Sequence, residues 1–206
     1  MIHPDLEIRK ISDQIGYGLF ATKLIPKGTI TYIRDELEII IPANDRRLKD
    51  SRYRPIIEKY AFVNSKGEHV LSWDFAKYVN HSCTPNSLTT GYDFEIAIKD
   101  ILPGEQLTDD YGLFNMDETM VCLCGSPQCR GSINKKDFVK LISSWDSAIL
   151  SALKCYSSVA QPLAIFMDAE TARQLDDFFK DPLQYKSVKN VKRIKHPKRI
   201  KNIKQV

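Results

Sequence analysis

The chain is organised around residues 77–86, which read Lys-Tyr-Val-Asn-His-Ser-Cys-Thr-Pro-Asn. This stretch combines a polar Asn-His-Ser run, one cysteine and a proline near its end. Two downstream stretches complete the pattern. Residues 104–112 read Gly-Glu-Gln-Leu-Thr-Asp-Asp-Tyr-Gly, and residues 122–131 read Cys-Leu-Cys-Gly-Ser-Pro-Gln-Cys-Arg-Gly. We therefore look for a functional site where these three stretches meet.

Four of the five cysteines are candidates for a metal site. Cys122, Cys124 and Cys129 have the spacing Cys-x-Cys-x4-Cys, and Cys83 supplies the fourth ligand that tetrahedral zinc requires. An odd cysteine count with three thiols this close suits thiolate coordination in a reducing compartment better than a disulfide framework. Because four sulfur ligands leave no position for water, we predict a structural zinc rather than a catalytic one.

In this order, and with Gly16-Tyr17-Gly18 upstream, the segments resemble the SET-domain family of protein lysine methyltransferases with a post-SET cysteine cluster. The resemblance covers roughly residues 5–134. It implies a mostly β fold of several short curved sheets, with a pseudoknot between the Asn-His-Ser stretch and the strand near residue 108. It also implies S-adenosylmethionine as cofactor, and a zinc that holds residues 122–131 over the groove that binds the cofactor and the peptide.

The remaining sequence is consistent with such a body. Between Leu6 and Ile41 short apolar clusters alternate with Gly and Pro, which favours a β-rich domain. No window approaches the ~18–20 apolar residues of a membrane span, and the N-terminus lacks a signal-peptide pattern. We therefore expect a soluble, intracellular protein, nuclear or cytoplasmic, and delivery into a host cell stays open. The sequence does not indicate an oligomeric state.

The resemblance assigns cofactor binding to nine positions, which are Gly16, Tyr17, Gly18, Tyr60, Lys77, Asn80, His81, Tyr111 and Leu123. From the residues alone, other interpretations stay open. The Gly-x-Gly run is as consistent with a plain turn, and Tyr60 with a core aromatic of a strand. The Asn80-His81 pair could serve a metal or acid–base role, but no second ligand stands at a suitable spacing. Lys77 stands where many family members have arginine, and it lacks the planar guanidinium group of arginine.

Tyr111 is the candidate catalytic residue, because it matches the tyrosine of the family's Asp-Tyr-Gly motif. Methyl transfer to lysine requires a neutral amine, whereas a free lysine has a pKa near ~10.4. An apolar channel and a nearby sulfonium charge would both favour the neutral form. Asp109 stands where the family usually has Phe or Tyr, so we expect either that it points away, or that water or a cation compensates, or that product specificity and activity are altered.

Beyond residue 134 the apolar residues follow a helical period, which predicts a C-terminal helical extension. Its stripes are Phe138, Leu141, Ile142, Trp145, Ala148, Ile149 and Ala152, then Ala169, Ala172, Leu175 and Phe178. The predicted organisation is a SET domain over 5–115 with an insert at about 43–60, a post-SET segment over 116–134, the extension over 135–185 and a basic low-complexity tail over 186–206.

The charge of the chain is unevenly distributed. The net charge of the whole chain is +4. Residues 186–206 hold nine Lys or Arg and no acid, so the net charge of residues 1–185 is −5. An acidic body suits a basic protein or peptide substrate, such as a histone, and a basic tail suits nucleic acid or another polyanion. From Val188 a triplet repeat predicts disorder.

We expect a protein-lysine N-methyltransferase. The alternative is a catalytically weak SET-like binding module that the tail tethers to chromatin or another polyanion.

Overall fold

The fold is described from a computed structural model, which covers residues 1–115 and 118–192. The strands are β1 (Leu6–Ser12), β2 (Gly16–Ala21), β3 (Ile30–Ile33), β4 (Ile39–Ile41), β5 (Ala61–Val63), β6 (His69–Leu71), β7 (Asn80–His81), β8 (Ser87–Thr89), β9 (Phe94–Ala97), β10 (Thr108–Asp109), β11 (Met120–Val121) and β12 (Ser132–Ile133). The α-helices are α1 (Arg54–Tyr60), α2 (Lys135–Leu153) and α3 (Ala169–Lys180). Short 3-10 helices cover Arg46–Lys49, Phe75–Tyr78, Tyr111–Leu113, Tyr156–Ser158, Ala164–Phe166, Pro182–Gln184 and Val188–Val191.

The strands form several small sheets rather than one large one. Two three-stranded antiparallel sheets have the orders β3-β9-β8 and β4-β6-β5. Strand pairs β1-β2 and β11-β12 are antiparallel, and β7-β10 is parallel. The predicted mostly β body with short sheets and C-terminal helices is therefore confirmed. The β7-β10 pair brings the Asn-His-Ser stretch beside the Asp-Tyr-Gly stretch, and the pseudoknot between them stays a prediction.

One large core joins the β body to the helical extension. Ile30 and Phe94 of the β3-β9-β8 sheet pack in the same buried cluster as Trp145 and Ile149 of α2 and Phe178 of α3. Burial of each such side chain contributes about 1.5–3 kcal/mol to stability. The extension is therefore part of the same folding unit as the β body, rather than an appendage.

The helical stripes predicted from sequence are largely the buried faces of α2 and α3. Phe138, Trp145, Ile149 and Ala152 are buried in α2, and Leu175 and Phe178 are buried in α3, whereas Ala169 at the start of α3 is exposed. Helix α2 begins with a capping box, in which the Asn134 N–H donates to Asp137 Oδ2 at 2.8 Å and Asn134 Oδ1 accepts from Lys136 N–H at 3.0 Å. These local signals fix where the helices begin and which side faces the core.

The first residues of the predicted basic tail are folded. Asp146 of α2 accepts hydrogen bonds from the Tyr185 hydroxyl at 2.8 Å, the Ser187 hydroxyl at 2.6 Å and the Val188 N–H at 2.9 Å. Val188 is fully buried and opens the 3-10 helix Val188–Val191. The Asp146 carboxylate thus accepts bonds from donors that a flexible segment would leave to water.

The expectation of disorder from Val188 is therefore wrong for residues 188–192. A triplet pattern is locally ambiguous, and the long-range contacts with α2 decide the conformation. Residues 193–206, which hold most of the repeat, lie outside the described residues. No helix within residues 1–115 and 118–192 combines the length and apolar character needed to cross a bilayer.

Replacing Gly91 by alanine should displace the C-terminal segment. An added Cβ would lie 2.1 Å from the Lys186 carbonyl oxygen, so backbone must move, and overpacking of this kind typically lowers the free energy of unfolding by about 1–3 kcal/mol. We expect faster hydrogen exchange at the Val188 amide, which donates to Asp146. Gly104→Ala is the control, because at a φ of +86° an alanine there strains the backbone but meets no atom within 4 Å; equal exchange at Val188 in both variants would contradict the prediction.

Candidate active site and metal centre

The site forms where β7 and β10 lie side by side. Asn80 pairs with Thr108 and His81 pairs with Asp109 in parallel register, and the Ser82 N–H donates to the Asp109 carbonyl at 3.0 Å. Two-residue strands are too short to be stable alone. The core on either side therefore holds this crossing, and the crossing places the residues that follow each strand next to one another.

Tyr111 follows β10, and both its backbone N–H and its side-chain hydroxyl are hydrogen-bonded. Its hydroxyl donates to the Val79 carbonyl at 2.6 Å, and its N–H donates to His81 Nδ1 at 3.2 Å. Its ring lies 5.1 Å from that of Phe114. Burial, together with the nearby carboxyls of Asp109 and Glu95, raises the pKa of Tyr111 well above its usual value. The phenol therefore keeps its proton across the physiological range.

Asp110 connects this region to the post-SET segment and to α2, which the sequence analysis did not foresee. Arg130 binds it through two parallel bonds, Nη1 to Oδ2 at 2.8 Å and Nη2 to Oδ1 at 2.6 Å. The indole N–H of Trp145 donates to Oδ2 at 3.2 Å, and the Gly112 N–H donates to Oδ1 at 2.9 Å. Bidentate arginine–carboxylate pairs are among the stronger polar contacts. The pairing fixes the backbone around Tyr111.

A cavity of about 660 Å³ opens beside Tyr111. Three predicted cofactor residues, Tyr60, Lys77 and Tyr111, lie on its wall, and so do residues of α1, which belongs to the predicted insert. Its aromatic lining comprises Tyr32, Tyr60, Phe62, Tyr111 and Phe114. Phe62 and Phe114 stack with ring centroids 5.7 Å apart. A second, smaller cavity of about 110 Å³ shares part of this lining.

The other predicted cofactor residues adjoin this cavity in part. Asn80 Nδ2 donates to the Tyr17 carbonyl at 2.9 Å. The ring of Tyr78 lies 5.8 Å from both Tyr17 and Tyr60, which makes a continuous aromatic row from β2 to the cavity. The side chain of Lys77 bonds to the Asp74 carbonyl at 2.6 Å. An aromatic surface beside carbonyl oxygens suits a positively charged sulfonium, so these residues fit S-adenosylmethionine.

The two glycines near Tyr17 differ in their surroundings. A Cβ on Gly18 would lie 2.5 Å from Gln106 Nε2 and 3.0 Å from Asn80 Nδ2, so protein side chains use the space there. Nothing lies within 4 Å of the corresponding position on Gly16. Leu123, the last predicted contact, is 66% exposed between two cysteines. Its exposure leaves an apolar side chain available to cover a ligand.

Three of the four predicted ligands, Cys83, Cys122 and Cys124, lie as close together as the ligands of a zinc site. Cys83 Sγ and Cys122 Sγ lie 3.7 Å apart, close to the edge of about 3.8 Å expected for a tetrahedron with ~2.3 Å zinc–sulfur bonds. Backbone N–H groups point at the sulfurs, from Cys83 to Cys124 Sγ at 3.5 Å and from Arg130 to Cys83 Sγ at 3.3 Å. Such donors favour thiolates, which are the metal-binding form. The donor set therefore fits the predicted zinc.

Two residues compete for the fourth position of this centre. The ligand atoms of His81, Cys83, Cys122 and Cys124 all lie within 4.8 Å of one another. Cys129 Sγ lies 3.7 Å from the Cys122 carbonyl oxygen and is not in that group of four. The geometry alone thus brings His81, which the sequence analysis placed at the cofactor, next to the sulfurs.

The hydrogen bonds of His81 favour Cys129 over His81 as the fourth zinc ligand. Its Nδ1 accepts the Tyr111 N–H, so the proton of the neutral ring is on Nε2, and Nε2 lies 3.3 Å from Cys83 Sγ. A protonated nitrogen donates to the sulfur and cannot bind a metal. Burial lowers the pKa of His81, which keeps the ring neutral. We therefore retain Cys129 as the predicted fourth ligand, with His81 as a hydrogen-bond donor to the Cys83 sulfur.

Part of this chain is similar to known proteins. The SET-domain family model matches residues 16–112. Histone-lysine N-methyltransferase ATX2 of Arabidopsis thaliana is 41% identical over 58% of this chain and 12% of its own length. The H3 lysine-4-specific enzyme of Schizosaccharomyces pombe is 32% identical over 57% of this chain and 14% of its own length. The solved structure of KRYPTONITE with mCHG DNA and SAH has 21% identity, a TM-score of 0.47, and coverage of 63% of this chain and 29% of that one.

The chain contains a SET domain over residues 16–112, just under half of its length. The match begins at Gly16 of β2 and ends at Gly112, immediately after Tyr111. It therefore includes the β7-β10 crossing but neither the cluster of Cys122, Cys124 and Cys129 nor the helical extension. The chain spans about an eighth of the length of these two curated relatives.

Proposed function

We propose that this chain is a protein-lysine N-methyltransferase that uses S-adenosylmethionine. The proposal depends above all on Tyr111, whose hydroxyl is fixed at the wall of an aromatic cavity by a 2.6 Å bond to the Val79 carbonyl. A phenol held in this way can orient an amine within the channel. Positioning of an amine and a methyl group can contribute several kcal/mol, up to ~7–11 in ideal cases.

The cofactor would supply a methyl group bonded to a positively charged sulfur. The aromatic row of Tyr17, Tyr78 and Tyr60 would hold it, and the cavity would admit the lysine side chain from the other side. The aromatic lining excludes water around the amine, which favours its neutral, nucleophilic form. Tyr111 would orient the amine without itself changing charge, because its proton is retained.

For the substrate we propose a histone or a similarly basic protein. The relatives are named histone-lysine methyltransferases, and the acidic net charge of residues 1–185 would attract a basic peptide. Such a substrate places the protein inside a cell, in the nucleus or cytoplasm. A contact between residues 186–206 and nucleic acid or another polyanion is part of the same proposal, since that segment holds nine basic residues.

The test is transfer of a radiolabelled methyl group from S-adenosylmethionine to core histones and to a mixed cell lysate. Mass spectrometry of the labelled product then identifies the protein, the lysine and the number of methyl groups. We expect label on lysine of a basic protein. Binding of histone peptides without any transfer would instead favour the catalytically weak binding module. Absence of both would leave the SET-domain match intact and remove the proposed function.

A further inference from the structure

A second ionisable group lines the cavity together with Tyr111. Glu95 stands on the cavity-facing side of β9, opposite Tyr32 of β3 in the sheet register. It lies on the walls of both cavities. Its Oε2 atom is buried, and no N–H or hydroxyl donor within the described residues bonds to it. A buried, unsatisfied carboxylate oxygen is costly, so its retention requires an explanation.

Behind Glu95 lies the second carboxyl of a pair. Asp109 of β10 is completely buried and does not line the larger cavity. Its Oδ1 accepts the Asp110 N–H at 2.6 Å, and its Oδ2 accepts the Thr89 hydroxyl at 2.8 Å. The same Thr89 hydroxyl lies 3.5 Å from Glu95 Oε1, so it lies near both carboxyls. Because Thr89 already donates to Asp109, a proton held by the carboxyl pair is the group available to satisfy Glu95.

The surroundings of the pair keep one proton on it. Burial, and next the charge of Glu95, raises the pKa of Asp109 well above its usual value. Burial also raises the pKa of Glu95, to about 7, although the Asp109 hydrogen bond, the Met1 α-amino group and Thr89 oppose the shift. The pair therefore retains one proton near neutral pH, and Glu95, which lines the cavity, is the member that can accept a second one. The other titratable groups on the cavity wall, apart from the tyrosines, are Arg54, Glu58, Lys59, His69, Lys77 and Glu118.

We propose that Glu95, supported by Asp109, accepts the proton of the substrate ammonium group within the cavity. This inference rests on the proposed methyltransferase function and names a catalytic residue for it. Glu95 would contact the amine, whereas Asp109 acts through Glu95 and is a positioning residue. It also gives a role to the aspartate that replaces the family's usual aromatic residue at position 109.

The proton balance of the step is simple. One N–H bond of the ammonium breaks and one O–H bond forms on Glu95, which leaves the neutral carboxyl pair and a neutral amine. The nitrogen lone pair then forms the bond to the methyl carbon, and the carbon–sulfur electron pair remains on sulfur. Glu95 afterwards releases its proton to water. In a desolvated site two neutral partners are favoured over an ammonium–carboxylate pair, which offsets the difference between their pKa values in water.

The experiment compares the pH dependence of kcat/KM for the wild type and Glu95→Gln on the same peptide between pH 6 and 9. Wild-type activity should rise through pH 7 as Glu95 ionises, and then level off above about pH 8. In Glu95→Gln only substrate that has lost its proton to solvent can react, so activity should be tenfold or more lower at pH 7 and continue to rise about tenfold per pH unit. A peptide with a less basic amine should partly rescue the variant.

Glu170→Gln on α3 is the matched control, because it makes the same chemical change on an exposed side chain distant from the cavity. Thermal melts check folding. Because the folded-state pKa of Glu95 lies above its unfolded value, stability should fall as pH rises from about 5 to 8, and Glu95→Gln should remove that loss. Parallel pH–activity profiles, or a more active Glu95→Gln, would overturn the inference while the methyltransferase function stands. If the wild-type protein transferred no methyl group, the proposed function and this step would both be refuted.

Discussion

Tyr111→Phe is expected to lower kcat for methyl transfer by about 10²–10³-fold, the range observed when a single preorganised polar group is removed from an active site. The phenylalanine ring can still pack against Phe114 and His81. Only the 2.6 Å bond to the Val79 carbonyl is lost, so the free energy of unfolding should fall by about 0.5–1.5 kcal/mol. Steady-state kinetics with a methylated-peptide readout measures the effect, and calorimetric titration checks cofactor binding.

Tyr185→Phe is the control for this variant. Its hydroxyl also makes one side-chain hydrogen bond, to Asp146 at 2.8 Å, but it lies on the C-terminal segment away from the cavity. The two variants should lose similar stability, and only Tyr111→Phe should lose turnover. Turnover within a few-fold of the wild type would remove the catalytic role of Tyr111 and direct attention to the remaining cavity residues.

Cys122→Ser is expected to abolish stoichiometric zinc binding and to disorder the post-SET segment. Structural zinc contributes roughly 10–16 kcal/mol of binding free energy in small zinc peptides at pH 7, far more than the two-residue pairing of β11 with β12 can replace. The two apolar cores contain no cluster cysteine, so the body should remain folded. Activity should fall at least tenfold, because the segment carrying Leu123 and Arg130 loses its anchor.

Elemental analysis and hydrogen exchange over 118–134 measure these effects, and Cys155→Ser is the control because Cys155 lies after α2, outside the cluster. Cobalt substitution resolves the fourth ligand. Cys129→Ser should weaken the sulfur-to-metal absorption, and His81→Gln should retain it. The opposite outcome would assign His81 as the ligand, and unchanged zinc content in Cys122→Ser would refute the metal centre.

Much of the candidate site can be proposed from the sequence because its signals are local or fixed in order. Tyr111 and the cysteine spacing are readable from short motifs, and residues 94–98 alternate in the way that is typical of a half-buried strand, where the structure has β9. That alternation said nothing about what Glu95 faces. The structure puts it against a cavity and a second carboxyl 14 positions away, which no period in the sequence encodes.

The sequence by itself determined the resemblance to SET domains, the short-sheet body, the helical faces of α2 and α3, and the candidate ligands and phenol. Only the tertiary structure decided that the helices share the core of the body, that residues 185–191 fold back onto Asp146, and that Asp110 binds Arg130 and Trp145. The physical reason is the distance along the chain over which each kind of interaction acts. Propensity, capping and motif spacing act within a few residues, whereas strand register and core packing join positions tens of residues apart and set the contacts of each buried charge.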